Sequence, residues 1–411
     1  MRTGIRARLL PTGRLGPICL GLWILAVTIG GVQSWAALTR PDGDRLTDLQ
    51  VYVSSVGFLL DGRSLYDFAA ADGAPFTYPP FAGLVFTPLA LVPADALRLA
   101  WTVATLVLVV LLAALSTRAD LARPIPSAIT VPMVACLLFA CAPVSSNIRF
   151  GQISLLLVVL VLIDCLGLLP HRYRGIATGV AAAVKLTPLV FVAYWWFSGQ
   201  RRTAVNATAA FAVSTALAWI VLPDESARYW FNEIWDVNRV GDIKGGGNQS
   251  LSGALMRWEL PDGARTIVAG AVGATIVLLG LVRAVRANRH GEPLAAAVIV
   301  GAGGLVFSPV SWTHHQVWLV LAGLLAVSAH RWVNLVWFVL VTALMVLPVT
   351  SVGAGLPGGA VAGNTRLFLA IAVACFVPFV AVRNSKPGGC VVAGDNADDR
   401  HQLRLKEAPL S

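Results

Sequence analysis

Long apolar runs, separated by short basic or proline-bearing breaks, dominate the chain. The first, Gly16–Leu38, is long enough to cross a bilayer as one helix, which takes about 20 apolar residues. Further runs lie near Leu97–Leu115, Ile125–Ala142, Ile153–Leu169, Ala204–Leu222, Thr266–Val285, Leu294–Phe307, Val317–Ala329, Val333–Pro348 and Leu367–Val382. Two more are short or broken: Phe81–Val92, and Gly175–Phe197, which holds Lys185 and Pro188. The pattern predicts an all-α polytopic membrane protein of about 12 apolar helices, the two weaker ones short, tilted or re-entrant. Arg2, Arg6, Arg8 and Arg14 precede the first run. No small-residue cleavage site is evident after it, so it reads as a retained helix.

Composition removes the alternatives. Of 411 residues, 57% are hydrophobic and 13% charged, and the mean hydropathy is +0.74. A soluble domain carries about twice that share of charge, so a soluble enzyme, a DNA-binding domain and a disordered chain are excluded. The net charge of +10 belongs to basic loops rather than to a nucleic-acid surface, because no basic patch with interleaved aromatics occurs. Six cysteines form no CxxC pair, and no metal-ligand spacing stands out.

Basic connections orient a membrane chain. Here they are Arg118–Arg123, His171–Arg174, Gln200–Arg202, Arg283–His290, His330–Arg331 and the residues from Arg383 onward, all expected in the cytoplasm. Counting the ten clear runs as crossings leaves Thr39–Pro80, Ser145–Gln152, Pro223–Arg265, Ser308–His315 and Thr350–Arg366 together on the outer face. Residues 1–382 are expected to form one transmembrane domain, and 383–411 a disordered cytoplasmic tail.

Five constellations carry chemistry, four in these segments and one, at Lys185, inside an apolar run that loop counting need not place on the outer side. Asp48-Leu-Gln-Val-Tyr52 lies in a loop with six aspartates before Pro80. A partly buried Asp48 would accept a proton from a sugar hydroxyl; the alternative is a solvated or helix-capping aspartate. Tyr78-Pro-Pro80 forms a rigid helix entry. Asn147-Ile-Arg149-Phe-Gly-Gln152 offers Arg149 to a phosphate, or else as a snorkelling interfacial arginine. Lys185-Leu-Thr-Pro188 places a lysine at membrane depth, where it needs a phosphate or an ion-pair partner, with Asp164 a candidate. Asn248, Gln249, Arg257 and Trp258 suit sugar recognition, or equally a polar re-entrant loop. Ser308-Pro…Trp312-Thr-His314-His315 lacks metal spacing, and a histidine donating to a leaving phosphate fits better.

In their order, Asp48-Leu-Gln-Val-Tyr52, Leu65-Tyr-Asp67, Tyr78-Pro-Pro80, Gly151-Gln152, Lys185-Leu-Thr-Pro188, Asn248-Gln-Ser250 and Ser308-Pro…Trp312…His314-His315 resemble glycosyltransferase family 87. They are most similar to its polyprenyl-phosphomannose-dependent alpha-(1→2)-mannosyltransferases. The resemblance implies a C-type glycosyltransferase fold in the plasma membrane with its active site facing the periplasm. It implies an inverting transfer from polyprenyl phosphomannose, with no metal or other cofactor, to a phosphatidylinositol mannoside, at the step that adds a fifth mannose. Asp48 would be the general base. Arg149, Lys185, His314 and His315 would hold the donor phosphate, and Tyr52, Tyr78, Gln152, Asn248, Gln249, Arg257 and Trp312 the sugars. A branching enzyme of lipomannan would share these motifs. From the residues alone a lipid-linked sugar transporter or flippase stays open, motivated by the buried Lys185 and the broken helix, as does a non-catalytic envelope scaffold.

Overall fold

The computed structural model describes residues 15–71, 73–117, 127–236, 243–356 and 358–380. The N-terminal arginines, Asp72, the Arg118–Arg123 loop and the polar tail lie outside the described residues. In chain order the main helices are α1 (Gly16–Leu38), α2 (Thr47–Leu60), α3 (Pro80–Phe86), α4 (Ala94–Ser116), α5 (Ser127–Ala140), α6 (Ala142–Phe150), α7 (Ser154–Cys165), α8 (Ile176–Val184) and α9 (Val190–Phe197). They continue with α10 (Arg201–Val221), α11 (Pro223–Phe231), α12 (Leu251–Arg257), α13 (Asp262–Arg289), α14 (Pro293–Phe307), α15 (Val317–Gly323), α16 (Arg331–Val346) and α17 (Thr365–Cys375). Among the described residues there is no strand, only one bridge between Ala69 and Pro75.

Four of these helices, α1, α4, α10 and α13, are long and apolar enough to cross a membrane alone. The pair α5–α6 passes the same test but bends by 66° where Cys141 turns extended and Pro143 opens the next helix. The remaining apolar runs form shorter helices, so the expected series of full-length spans is replaced by a mixture of long and short ones. The Val317–Ala329 run, for example, yields only the seven residues of α15. The stretch after α1, expected as a loop, carries the 14-residue α2. At the centre α14 is buried along almost its whole length. Its Ala295–Ala297, Gly301 and Gly303 let neighbouring helices approach closely, as small residues do in membrane bundles.

The break inside Gly175–Phe197 falls where the sequence placed it. Lys185 ends α8 in an extended conformation, and Pro188 opens a short turn before α9. Gly175 (φ +101°) lies against the Thr203 carbonyl, and the Gln200 N–H bonds the Trp195 carbonyl at 2.9 Å. Both ends of the α8–α9 segment therefore sit beside the start of α10, and Lys185 stands at its far tip. Asp164 is not the partner of Lys185. It accepts hydrogen bonds from the Gly175 and Thr178 N–H groups at 2.8 Å and from the Thr178 hydroxyl at 2.9 Å. It thus caps the N-terminus of α8, one helix length away, because the open N–H groups there favour an anion.

Two arginines in apolar surroundings do the converse at helix C-termini. Arg283 donates to the carbonyls of Val373 (2.7 Å), Ala374 (2.6 Å) and Val377 at the end of α17. Arg366 donates to Leu344 (3.0 Å) and Leu347 (3.2 Å) at the end of α16. Each satisfies carbonyls that have no intrahelical partner.

Candidate active site

A cavity of about 740 Å³ opens between α2, the turn before α3, the end of α6, the α8–α9 break, α11 and the Ser308–Gln316 loop. Its wall includes Asp48, Tyr52, Tyr78, Gln152, Lys185, Trp312, His314 and His315, residues far apart in sequence.

Asp48 reaches the cavity because of two unusual backbone positions. Leu46, buried, adopts a left-handed conformation (φ +50°), which costs a leucine roughly 1–2 kcal/mol. That turn starts α2 abruptly and sets half-buried Asp48 in its first turn. Gly151 ends α6 at φ +68°, and a Cβ there would stand 2.9 Å from the Cβ of Leu49 and 3.2 Å from that of Leu46. Only glycine fits both the angle and the space. Strain of this kind at a cleft is a mark of functional geometry.

One turn along α2, Tyr52 stacks on Phe86, with ring centroids 4.5 Å apart, and its hydroxyl lies 2.8 Å from that of Tyr78. Tyr78 donates to Gln152 Oε1 at 3.3 Å, and Ser154 donates to the same oxygen at 3.2 Å. Burial, and then the charge of Asp48, raise the Tyr78 phenol above its ordinary value, so it stays protonated. Lys185 Nζ lies 3.5 Å from the Tyr78 hydroxyl and 5.0 Å from its ring centroid. The Asp48 carboxylate is close enough to Lys185 to act on it electrostatically.

Lys185 Nζ also lies 2.8 Å from His315 Nε2, and His315 Nδ1 accepts the Trp312 backbone N–H at 3.1 Å. The rings of His314 and His315 stand edge to face at 4.4 Å. Burial holds both imidazoles well below the ordinary histidine range. His314 Nε2 is buried without a hydrogen-bond partner among the described residues.

Beyond Lys185 and His315 the cavity meets a narrower apolar groove between α7, α9 and α14. Leu157, Val158, Val161, Phe191 and Leu305 line it, and it shares Lys185, Thr187, Ser308, Val310 and His315 with the cavity. The larger cavity and the apolar groove therefore meet at the Lys185 amine and the His315 imidazole.

Four expected ligand contacts are absent from the cavity wall. Arg149 is exposed in the last turn of α6 and donates to Asp44 Oδ1 at 3.5 Å. Asn248 is fully buried: Oδ1 accepts from the N–H groups of Ser250 (3.2 Å) and Ser311 (2.8 Å), and Nδ2 donates to Ile243 (3.1 Å). Gln249 donates through Nε2 to the carbonyls of Gly246 (2.8 Å) and Gly363 (2.9 Å) and accepts from the Leu367 N–H at 3.1 Å. Arg257 donates to the carbonyls of Lys244 (3.3 Å), Gly245 (3.0 Å) and Asn248 (2.8 Å) and to Asn364 Oδ1. These three side chains knot the loop before α12 and brace Ser311, and so the histidine loop, from behind.

The sequence did not single out every wall residue. Tyr229 of α11 lines the cavity and stacks on Tyr66, with centroids 5.8 Å apart. The same helix is tied to the 64–67 turn. Glu225 accepts from the Ser64 hydroxyl (2.9 Å) and the Leu65 N–H (3.1 Å), and Arg228 bridges Asp67 and Glu233, each at 2.7 Å. The signal for it was the short amphipathic stretch 223–231, proline first and acidic in its first turn.

A carboxylate, a lysine and paired imidazoles thus share one cavity set among apolar helices, a candidate enzyme site in a membrane protein. Residues 76–309 match the model of glycosyltransferase family 87. Over 322 residues, 74% of each chain, the protein is 35% identical to a polyprenol-phosphate-mannose-dependent alpha-(1-2)-phosphatidylinositol mannoside mannosyltransferase of Mycobacterium tuberculosis. It is 35% identical to the Mycolicibacterium smegmatis protein of the same description over 72% of this chain and 73% of that one. A polyprenol-phosphate-mannose-dependent alpha-(1-2)-phosphatidylinositol pentamannoside mannosyltransferase of M. tuberculosis is also 35% identical, over 72% of this chain and 69% of its own. No solved structure matches. The chain belongs to glycosyltransferase family 87 and is a membrane glycosyltransferase.

Proposed function

We propose that the protein is an inverting alpha-(1→2)-mannosyltransferase that moves mannose from polyprenyl phosphomannose to a phosphatidylinositol mannoside at the extracytoplasmic face of the plasma membrane. The observation that carries the proposal is the junction at Lys185 and His315. A polyprenyl phosphate has an apolar chain and an anionic head, and the apolar groove and polar cavity meet where two nitrogen groups await an anion. The chain of the donor lies in the groove, its phosphate at Lys185 and His315, and its mannose in the cavity toward Asp48.

Asp48 then takes the proton of the acceptor 2-hydroxyl while that oxygen attacks C1 of mannose. The bond from C1 to the phosphate oxygen breaks, and polyprenyl phosphate leaves with the bonding pair. Lys185 and His315, with the orphaned Nε2 of His314 nearby, offset the charge that grows on the leaving group. A base on the attacking side and cations on the leaving side suffice for single displacement. Tyr52, Tyr78, Gln152, Trp312 and Tyr229 supply hydroxyl, amide and aromatic surface for the sugars. The positive-inside assignment puts the 39–80, 145–152, 223–265 and 308–315 segments of the cavity wall on one side, which supports the outer face.

Purified protein given polyprenyl phosphomannose and a four-mannose phosphatidylinositol mannoside should yield a product one mannose longer. Movement of the lipid across sealed vesicles without covalent change would favour a flippase instead. The equal identity to a pentamannoside transferase supports a second acceptor, already carrying five mannoses. Mass analysis of the glycolipids that build up in a deletion strain separates the two, and unbranched lipomannan there would point to a branching enzyme.

A further inference from the structure

The tautomer of His315 fixes more than its orientation. Its Nδ1 accepts the Trp312 backbone N–H, so a neutral ring carries its proton on Nε2. That Nε2–H faces Lys185 Nζ at 2.8 Å. A lysine ammonium has three donors and no acceptor, so it cannot receive this bond, whereas the free amine has a lone pair that can. The opposite tautomer only moves the clash, setting Nδ1–H against the Trp312 N–H. One arrangement satisfies every group: a neutral imidazole donating from Nε2 to a neutral lysine amine.

We infer that Lys185 is uncharged in the empty site and takes up a proton when the donor phosphate binds. This rests on the donor site proposed above. The groups facing Lys185 are Asp48 and Tyr52 from α2, Tyr78 from the turn before α3, and His314 and His315 from the loop before α15. The residues of α7, α9 and α14 beside it carry no ionisable group. Burial disfavours an ammonium at the tip of the α8–α9 break, where half the surroundings are apolar, and the Asp48 carboxylate across the cavity offsets only part of that cost. The phosphate removes that penalty. One of its oxygens replaces the amine lone pair as acceptor of the His315 Nε2–H, and Lys185, now ammonium, donates to the same phosphate. The proton comes from solvent, so the pair and the monoanionic diester together become neutral as the complex forms.

Farnesyl phosphomannose tests this, because its phosphodiester keeps a single charge across the pH range used. Without acceptor, calorimetry in buffers of differing ionisation heat should show about one proton taken up per ligand, and Kd should rise about tenfold per pH unit above neutrality. Lys185→Arg, permanently charged, should bind without uptake and with a flat pH profile. Asp48→Asn should keep the uptake. Binding of the native protein with no uptake overturns the neutral-lysine assignment while leaving the donor site standing, as does uptake that persists in Lys185→Arg. No binding at all overturns the donor site, and this inference with it.

Discussion

Two polar segments, one around Asp48 and Lys185 and the other around Asn248 and Arg257, use comparable side chains to different ends. The first points carboxylate, amine, phenol and imidazole into open space. The second turns amides and a guanidinium onto backbone carbonyls and N–H groups until little hydrogen-bonding capacity remains. In a soluble protein water would satisfy such a loop. Here Asn248, Gln249 and Ser250 are buried, so the loop must satisfy itself, because a buried polar group left without a partner costs about 1–3 kcal/mol. Polarity in this protein therefore marks a candidate site where it lines open space, and serves the fold where it turns onto the backbone.

The sharpest way to separate the two segments is to remove one group from each. Asp48→Asn should lower the transfer rate about 10²–10⁴-fold, the range that general base catalysis contributes. The thermal midpoint of the solubilised protein should not move, and a variant with full rate would end the base assignment. Asn248→Ala should do the reverse. It strands the N–H groups of Ser250 and Ser311 and the Ile243 carbonyl, for a stability loss of about 2–4 kcal/mol. Its rate per folded molecule should stay within about tenfold of native, since the side chain does not line the cavity. If the midpoint held and the rate vanished, Asn248 would belong to the cavity after all.

A smaller effect is expected at Arg149, which is exposed and paired with Asp44. Arg149→Ala should change the rate by about threefold or less, as for a screened surface pair, and a loss beyond about a hundredfold would return this residue to the donor phosphate.

The smallest effects lie in the pH dependence of unfolding. Burial raises Glu225 above 4.5, so between 4.5 and its folded value the native state holds a proton that the unfolded chain has lost. Stability from this group is complete below 4.5 and declines as pH rises through that window; Glu225→Gln should flatten the decline. Asp44 runs the other way. The hydrogen bond from Arg40 lowers it below 3.8, so its stabilisation holds above 3.8 and is lost as pH falls through the folded value.

The contrast also explains what the sequence disclosed. The helix break at Lys185-Leu-Thr-Pro188 was legible because proline and a membrane-depth lysine act locally. Asp48, Tyr78 and His315 were legible as ordered motifs, although the left-handed Leu46 that starts α2 was not, since leucine gives no warning of φ +50°. The backbone partners of Asn248, Gln249 and Arg257 were not legible, because carbonyls are what every residue has and no sequence displays. Asp164 was given to the wrong neighbour for the same reason: the N–H groups at the start of α8 are invisible in the letters. Tyr229 went unnoticed because a nine-residue helix beside tryptophans looks like a membrane-surface segment.

Gly151 couples two stretches about a hundred residues apart. Since its missing methyl leaves room for Leu46 and Leu49, the placement of the proton acceptor is dictated from another helix by a hydrogen atom. Drift in either stretch must be answered in the other, and homologues that replace this glycine should carry a trimmed residue at 46 or 49. The smallest side chain in the molecule thus sets how far its carboxylate reaches.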